Sequence, residues 1–415
     1  MLSQQLEFSP ARDAEVFALA PVAPAVFLLR GADSASEPYV SKTANLRRRL
    51  QRLLGPAEER SRKLNLRDRV RQIEYALTGS AFESQLVLYK VLREYFPASY
   101  SQRLRLRPAP LVKLHMSNPY PRASVTTHLG GGRSGSLYYG PFPSRVAAEK
   151  FANDSLDFFK FRRCVEDLKP DPAFPGCIYS EMKMCLAPCF KGCTDEQYAA
   201  ETERVRQFFE SRGQSLVREL ESEREHASTN LEFESAAALH ARLEKLRPVV
   251  SQLPEIVRRI EELRGLMVQP SSQSESVTFF RLGAACLSDP ITFSLKQEAG
   301  KPHSMEARVE QALAAAPPIS NCSRRETSEH LAILKRWFYQ SSRTGELFLT
   351  EPNGELPMRR VVRGISRVFR GEKPAPDLSE SAREYWVNRG REAERAAPDT
   401  QAIKPAQKVP PRQPE

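Results

Sequence analysis

The chain has 415 residues, with 62 Lys and Arg against 51 Asp and Glu and a net charge of +11 at pH 7. This length exceeds one typical domain and predicts two to four folded units. The charge favours a polyanionic partner. We find no basic segment followed by an apolar one near Met1, and no run of about 18 apolar residues. These features argue against a secretory signal and a membrane span, and they predict a cytoplasmic protein.

Residues 25–55 carry a clear local pattern. Apolar residues 25–29 and the stretch 38–41, with turn formers between them, indicate a β-hairpin. Leucines at helical spacing then predict a helix that Thr43 caps and that ends at Gly55. This helix has an apolar stripe and a cationic face.

Basic residues are concentrated in the same part of the chain. Residues 41–72 hold eleven basic and three acidic side chains, whereas residues 194–265 hold eleven and fifteen. Because neutralisation of phosphates dominates nucleic-acid binding, we predict a DNA-binding face here, with a merely solvated helix face as the alternative. The predicted contacts are Arg47, Arg48, Arg49 and Arg52.

The hairpin and helix resemble the GIY-YIG nuclease module. In that family a tyrosine of the second strand motif helps to activate water, a lysine and a helix arginine stabilise the phosphate, and a glutamate holds a divalent ion. A phosphodiester transition state gathers negative charge, so cationic groups and a metal lower its barrier together. The resemblance assigns the catalytic positions to Tyr39, Lys42 and Arg49.

Other positions depart from the GIY-YIG pattern. The first-motif tyrosine is Phe27, and the position of the metal-binding glutamate falls on Leu88, which cannot coordinate a cation. We therefore predict a degenerate nuclease site that uses Mg²⁺ or Mn²⁺ only if it is active. The alternative is an active endonuclease in which Glu83 or Glu74 holds the metal.

Residues 104–137 are rich in Pro and Gly and are interpreted as a linker without regular structure. The glycine run at 130–135 is predicted to be its most flexible part. Ser144 then caps a helix that leads into a cysteine-rich segment.

Five of the seven cysteines lie between residues 138 and 193, separated by twelve, seven, three and three residues. In a reducing compartment such clusters are more often metal ligands than disulfides. The spacing is not that of a zinc ribbon, and four thiolates can equally hold an iron–sulfur cluster. The residues alone leave zinc, a cluster and free thiols open. The five are Cys164, Cys177, Cys185, Cys189 and Cys193.

The sequence around these cysteines resembles the UvrC family of the bacterial excinuclease ABC system. The matching stretches are Tyr-Gly-Pro-Phe-Pro-Ser at 139–144, Phe-Arg-Arg-Cys at 161–164, Gly-Cys-Ile-Tyr at 176–179 and Met-Cys-Leu-Ala-Pro-Cys at 184–189. The resemblance implies a 4Fe–4S cluster, with zinc as the alternative. Its ligands would be Cys164, Cys177, Cys185 and Cys189, with Cys193 outside the set.

Helix-forming residues predominate after Cys193, and two amphipathic stretches predict a helical hairpin over 194–250. Residues 230–246 resemble the UVR motif through which UvrC binds UvrB. The resemblance implies a UvrB-like partner; the alternative is an ordinary hairpin packed within the chain. The predicted partner-binding stripe is Phe233, Ala236, Leu239, Leu243 and Leu246.

Residues 251–370 predict a small α/β region that faintly resembles the link before the RNase H-like nuclease domain of UvrC, a domain that we expect to be absent. Residues 371–415 predict a Pro-rich, basic, disordered tail. The predicted elements are strands at 276–281, 291–296 and 347–349 and a helix near 329–338.

These patterns predict an α+β multidomain protein that binds DNA, docks on UvrB and acts in nucleotide excision repair. An active single-incision endonuclease and a UVR-motif adaptor that does not cleave DNA are the alternatives. The predicted segments are an arm (1–23), a GIY-YIG-like α/β domain (24–103), a linker (104–137), a cysteine-rich metal-binding region (138–193), the UVR hairpin (194–250), a small α/β region (251–370) and the tail (371–415).

Overall fold

The computed structural model describes residues 2–33, 36–56, 64–130, 135–165, 168–296, 304–319, 321–374 and 381–389. In these residues three antiparallel sheets and their covering helices confirm a mixed α/β composition. None of the described helices is both long and apolar enough to cross a membrane. Most of the predicted glycine run, at 131–134, and most of the predicted tail, at 375–380 and 390–415, lie outside the described residues.

The first sheet has the strand order β1-β4-β2-β3, and the predicted hairpin of its second and third strands is confirmed. The helix after the hairpin ends at Gly55 as predicted, but its N-cap is Asn45, whose side chain accepts from the Arg48 N–H at 3.0 Å. Thr43 instead binds the Asn45 N–H, at 3.2 Å. The elements are β1 (Gln4–Glu7), α1 (Asp13–Leu19), β2 (Ala25–Gly31), β3 (Tyr39–Thr43), α2 (Leu46–Leu54), β4 (Val70–Leu77), α3 (Ala81–Tyr95) and α4 (Tyr100–Leu104).

The middle sheet corrects the prediction of a structureless linker over 104–137. Two of its strands and the start of a third fall in that segment, because Leu111, Val112 and Leu114 are buried and the neighbouring prolines flank the strands instead of interrupting them. Ser144 caps the next helix as predicted, accepting from the Ala147 N–H. The order is β6-β5-β7-β8. The elements are β5 (Leu111–Leu114), β6 (Ala123–Thr126), β7 (Leu137–Gly140), α5 (Arg145–Leu156) and, later in the chain, β8 (Arg258–Arg259).

A short helix lies among the cysteines, and three helices follow Cys193. The last two of these are antiparallel and confirm the predicted hairpin. The helix before them is separated from the hairpin by a break at Gly213 (φ 88°), where a Cβ would lie 2.4 Å from Val250. Arg242 ties the base of the hairpin to the Phe158 carbonyl at 2.5 Å. The elements are α6 (Ile178–Glu181), α7 (Asp195–Glu210), α8 (Gln214–Thr229) and α9 (Phe233–Ser251).

The third sheet has the order β11-β10-β9-β13, with β12 also paired to β10. All three predicted strands and the predicted helix of this region are confirmed, the helix beginning five residues earlier. A last helix covers residues 381–389. The elements are β9 (Gly265–Pro270), β10 (Ser276–Gly283), β11 (Cys286–Leu287), β12 (Ile291–Ser294), α10 (Met305–Ala315), α11 (Arg324–Phe338), β13 (Glu346–Leu349) and α12 (Met358–Phe369).

One apolar core joins the middle sheet to α3 and α11. On α3, Phe82 makes edge contacts with Phe280 and Trp337, with ring centroids 5.1 and 5.7 Å apart. The first sheet keeps a separate, smaller core under α2. Helix α3 therefore follows the first sheet in the chain but packs into the core of the rest of the protein.

A buried ion pair holds α12 to β13. Glu346, with 6% of its surface exposed, accepts two hydrogen bonds from Arg367, at 2.7 and 2.8 Å. We expect Glu346→Ala to lower the free energy of unfolding by roughly 2 kcal/mol, because it removes a buried carboxylate and two hydrogen bonds from the half-buried Arg367. Glu372→Ala, which removes an exposed pair with Arg370, should change it by less than about 1 kcal/mol. Denaturant titration of both variants tests this, and equal effects would contradict it.

Candidate functional site

The clustered cysteines come from short segments between α5 and α7. Cys177 is the N-cap residue of α6, and its carbonyl accepts the Ser180 hydroxyl at 2.6 Å. Cys189 lies in a tight turn between two residues in the left-handed region, Ala187 (φ 57°) and Lys191 (φ 60°). These turns bring several thiols together within a few residues.

The surroundings of Cys185 disfavour its thiolate. Burial raises the pKa of Cys185 to about 11, the Ala187 N–H lowers it, and Cys164, Cys189 and Cys177 raise it further. A bound cation would reverse this preference and hold the thiolate form. The other three predicted ligands are therefore near enough to Cys185 to affect its pKa.

Cys193 stands at the edge of this group. Burial raises its pKa, and the charges that act on it are those of Asp195 and Cys189. It is half-buried against the main core. The place of Cys193 outside the ligand set stays a prediction.

Two N–H donors point at the sulfurs. Arg162, fully buried, donates to the Cys164 sulfur at 3.4 Å and to the Tyr120 carbonyl at 2.9 Å. The Ala187 N–H lies 3.3 Å from the Cys185 sulfur. Such donors stabilise thiolates and tune the metal centres that thiolates hold.

The chemistry of the donor set fits two kinds of metal centre. Four thiolates can hold one Zn²⁺ ion or an iron–sulfur cluster. The identity of the group that these cysteines hold stays a prediction.

The three predicted catalytic residues fall into two groups. Arg49 donates to the Tyr39 hydroxyl at 2.8 Å, whereas Lys42 donates to Gln85 of α3 at 2.8 Å. Tyr39 and Lys42 are three residues apart on β3, so their side chains leave opposite faces of the strand. The structure brings Tyr39 and Arg49 together and places Lys42 against α3.

The acidic alternatives of the nuclease-like site have other partners. Glu83 accepts the Gly79 N–H at 2.7 Å, and burial raises its pKa. Glu74 accepts from Arg30 at 2.6 Å. Leu88 is half-buried and packs against the main core. Leu88 offers no carboxylate, and one oxygen of Glu83 and one of Glu74 already accept a hydrogen bond.

The four predicted DNA contacts differ in exposure. Arg48 and Arg52 are exposed on α2. Arg47 donates to the carbonyls of Ala18 and Ala20, at 2.9 and 2.8 Å, and Arg49 is held by Tyr39. The side chains of Arg48 and Arg52 are therefore available to phosphates, whereas those of Arg47 and Arg49 make hydrogen bonds within the N-terminal module.

Helix α11 clamps the outer face of α3 and α4, a contact that the sequence did not indicate. Tyr89 and Tyr100 donate to the two carboxylate oxygens of Glu329, at 2.9 and 2.7 Å, and Arg93 pairs with Glu326. We call this group the α11 clamp. Helix α11 also affects Lys42 of β3. Desolvation of the Lys42 amino group, with a smaller contribution from the charge of Arg336 of α11, lowers the pKa of Lys42.

The α11 clamp should respond to acid. Arg93, aided by the Ser323 N–H, lowers the pKa of Glu326 from 4.5 to about 2. A carboxyl group whose pKa is lower in the folded protein than in the unfolded chain stabilises the folded contact at pH values above its unfolded pKa. This stabilisation is lost as the pH falls through the pKa of the folded protein. We expect deuterium exchange in α3 to rise between pH 4.5 and 2 by more in the parent than in Glu326→Gln, after correction for intrinsic rates. Parallel curves would contradict this.

The predicted partner-binding stripe of the hairpin is split. Leu243 and Leu246 are fully buried in the main core, and Ala236 and Leu239 are half-buried. Phe233 keeps 68% of its surface exposed, and the neighbouring Leu231, which lies outside the predicted stripe, keeps 70%. The exposed apolar surface is therefore at the tip of the hairpin, and we call these two residues the hairpin tip.

Two family models match the central part of the chain. The UvrC/Cho excinuclease middle domain matches residues 109–208, and the UvrB/uvrC motif matches residues 214–247. The first covers the middle sheet and the cysteine-rich segment, and the second covers the α8–α9 hairpin. Together they define a protein built on a UvrC-type middle domain followed by a UVR motif.

Similar curated proteins are named UvrABC system protein C. That of Carboxydothermus hydrogenoformans is 29% identical over 56% of this chain and 38% of its own length, and that of Alcanivorax borkumensis is 30% identical over 51% and 34%. That of Moorella thermoacetica is 27% identical over 66% of this chain and 42% of its own length. The central part of the chain, residues 109–247, is therefore similar to the UvrC family. The matches span about two fifths or less of these relatives, and no solved structure matches the chain.

Proposed function

We propose that the protein is a DNA-binding factor of nucleotide excision repair that docks on a UvrB-type partner. The observation that carries this proposal is the unbroken order of the UvrC-type middle domain and the UVR motif over 109–247. The exposed hairpin tip supports the docking, since apolar surface at a helix end needs a partner to cover it. Arg48 and Arg52 of α2 supply cations for the phosphate backbone.

The middle domain is proposed to carry a 4Fe–4S cluster on Cys164, Cys177, Cys185 and Cys189. The N–H donors from Arg162 to Cys164 and from Ala187 to Cys185 support a thiolate-bound centre at this place. Such a cluster would supply one-electron redox chemistry and a covalent link between the turns that hold it. The Arg162 guanidinium would offset part of the negative charge of four thiolates.

The N-terminal module is proposed to hold DNA without cutting it. Tyr39 and Arg49 are paired, yet the metal position is Leu88, and the carboxylates of Glu83 and Glu74 already accept other hydrogen bonds. Without an acidic ligand, a divalent ion would have no anchor, and the electrostatic stabilisation of the transition state would be incomplete.

Incision of a lesion-containing duplex in the presence of UvrB and Mg²⁺ or Mn²⁺ tests the proposal. We expect the parent to join the UvrB–DNA complex without cleaving the DNA, and binding to weaken steeply with salt and in Arg48→Ala/Arg52→Ala. Cleavage by the parent that Tyr39→Phe removes would favour the endonuclease. Binding to UvrB without salt-dependent binding to DNA would favour the adaptor.

A further inference from the structure

A second pair of cysteines lies far from the cysteine-rich segment. Cys286 of β11 and Cys322, just before α11, are 36 residues apart in sequence, with Cα atoms 6.1 Å apart and their sulfurs joined. This Cα separation lies within the range of disulfides. Their neighbours are His330, with Nδ1 3.7 Å from the Cys322 sulfur, and Thr327, with Oγ1 3.7 Å from the Cys286 sulfur.

The bond fixes the end of α11 that carries the α11 clamp. Cys322 directly precedes Ser323, the N-cap of α11, whose hydroxyl accepts from the Glu326 N–H and whose own N–H binds the Glu326 carboxylate at 2.8 Å. Glu326 and Glu329, on the first two turns, hold Arg93, Tyr89 and Tyr100 of the N-terminal module. A crosslink at Cys322 therefore restrains the carboxylates that join the two parts of the protein.

The two sulfurs differ in access. Cys286 is buried, whereas Cys322 is half-exposed and lines a cavity of about 500 Å³. Three basic residues (Lys90, Arg93 and Arg281) and three acidic residues (Glu94, Asp289 and Glu326) line the same cavity. Because their charges balance, the access of the Cys322 sulfur, and not the charge around it, makes this sulfur the point of attack in thiol–disulfide exchange.

We propose that Cys286 and Cys322 form a reversible thiol–disulfide site that sets the strength of the α11 clamp. A dithiol reductant attacks the Cys322 sulfur as a thiolate, forming a mixed disulfide and releasing Cys286 as a thiolate that takes up a proton. The second thiol of the reductant then attacks its own bound sulfur and releases Cys322. The reductant loses two electrons and becomes a disulfide, and the protein gains two electrons and two protons. Reduction frees the start of α11 and loosens its hold on α3.

The test uses the full chain equilibrated with oxidised or reduced dithiothreitol. Differential alkylation with peptide mapping follows Cys286 and Cys322 separately from the other five cysteines, and deuterium exchange follows α3 and α11. We expect both thiols to be alkylated only after reduction, and exchange in Arg324–His330 and Tyr89–Tyr100 to be at least about threefold faster in the reduced protein. Cys286→Ser/Cys322→Ser should exchange like the reduced form under both conditions, whereas Cys193→Ser should behave like the parent.

Three results would overturn the proposal. Alkylation of both thiols under oxidising conditions would exclude the crosslink. A crosslink that forms without changing exchange in α3 would exclude control of the α11 clamp. One zinc ion bound to the reduced protein and lost in Cys286→Ser/Cys322→Ser would make these residues, with His330, a metal site instead. If the double variant does not fold, the comparison of the parent in its two states still decides.

Discussion

Cys185→Ser should abolish visible absorbance at about 400 nm in anaerobically purified protein and reduce bound iron from about four atoms per chain to a small residue. The thiols of Cys164, Cys177 and Cys189 raise its pKa, and its loss would leave the proposed cluster with three ligands. The segment that holds them has little regular structure beyond α6 and the turn Pro188–Phe190. We therefore also expect a loss of at least about 3 kcal/mol in the free energy of unfolding.

Cys193→Ser is the matched control. Its thiol lies four residues beyond Cys189 and outside the proposed ligand set, so the absorbance, iron content and stability should match the parent. A colourless parent with one zinc ion per chain would refute the cluster assignment. Equal losses in both variants would make Cys193 a ligand.

Leu231→Ala/Phe233→Ala should weaken binding to a UvrB-type UVR segment by about 100-fold. Each side chain keeps more than two thirds of its surface exposed, and burying such a side chain contributes about 1.5–3 kcal/mol. A combined loss of roughly 3 kcal/mol corresponds to that factor. Isothermal titration calorimetry with the isolated partner segment measures it.

His240→Ala tests whether the effect is specific to the hairpin tip, because His240 is exposed on the same helix. Its affinity should stay within about twofold of the parent, since a rim residue contributes little. Unchanged affinity in the tip variant would place the interface elsewhere. Leu243→Ala should lower stability instead, because Leu243 is fully buried.

Local patterns could be predicted from the sequence. The hairpin at β2 and β3, the cap at Ser144 and the end of α2 at Gly55 depend on residues that are close in the chain, and these predictions are confirmed. The cysteine-rich segment is visible in the sequence because its members lie close along the chain, but its role as a metal site stays a prediction. These features need only short-range physics, namely strand alternation, capping and turn preference.

Long-range packing could not be predicted in the same way. The prolines near β5 and β6 indicated a loop, but the ladder between these strands placed them at strand ends. The hydrogen bonds from Tyr89 and Tyr100 to Glu329 join residues more than 200 positions apart. The predicted partner-binding stripe is only partly exposed, because the C-terminal half of α9 is buried against the core. Helical periodicity shows which face of α9 is apolar but not which neighbour covers it.

The packing of α3 limits which parts of the N-terminal region can be lost during evolution. Its Phe82 and Leu86 lie in the core shared with the middle and C-terminal sheets. Removing the first sheet together with α3 would expose that core, so loss of cleavage would not make the N-terminal region dispensable. Selection on stability alone can therefore retain the N-terminal module, because its helix completes the core of the rest of the protein.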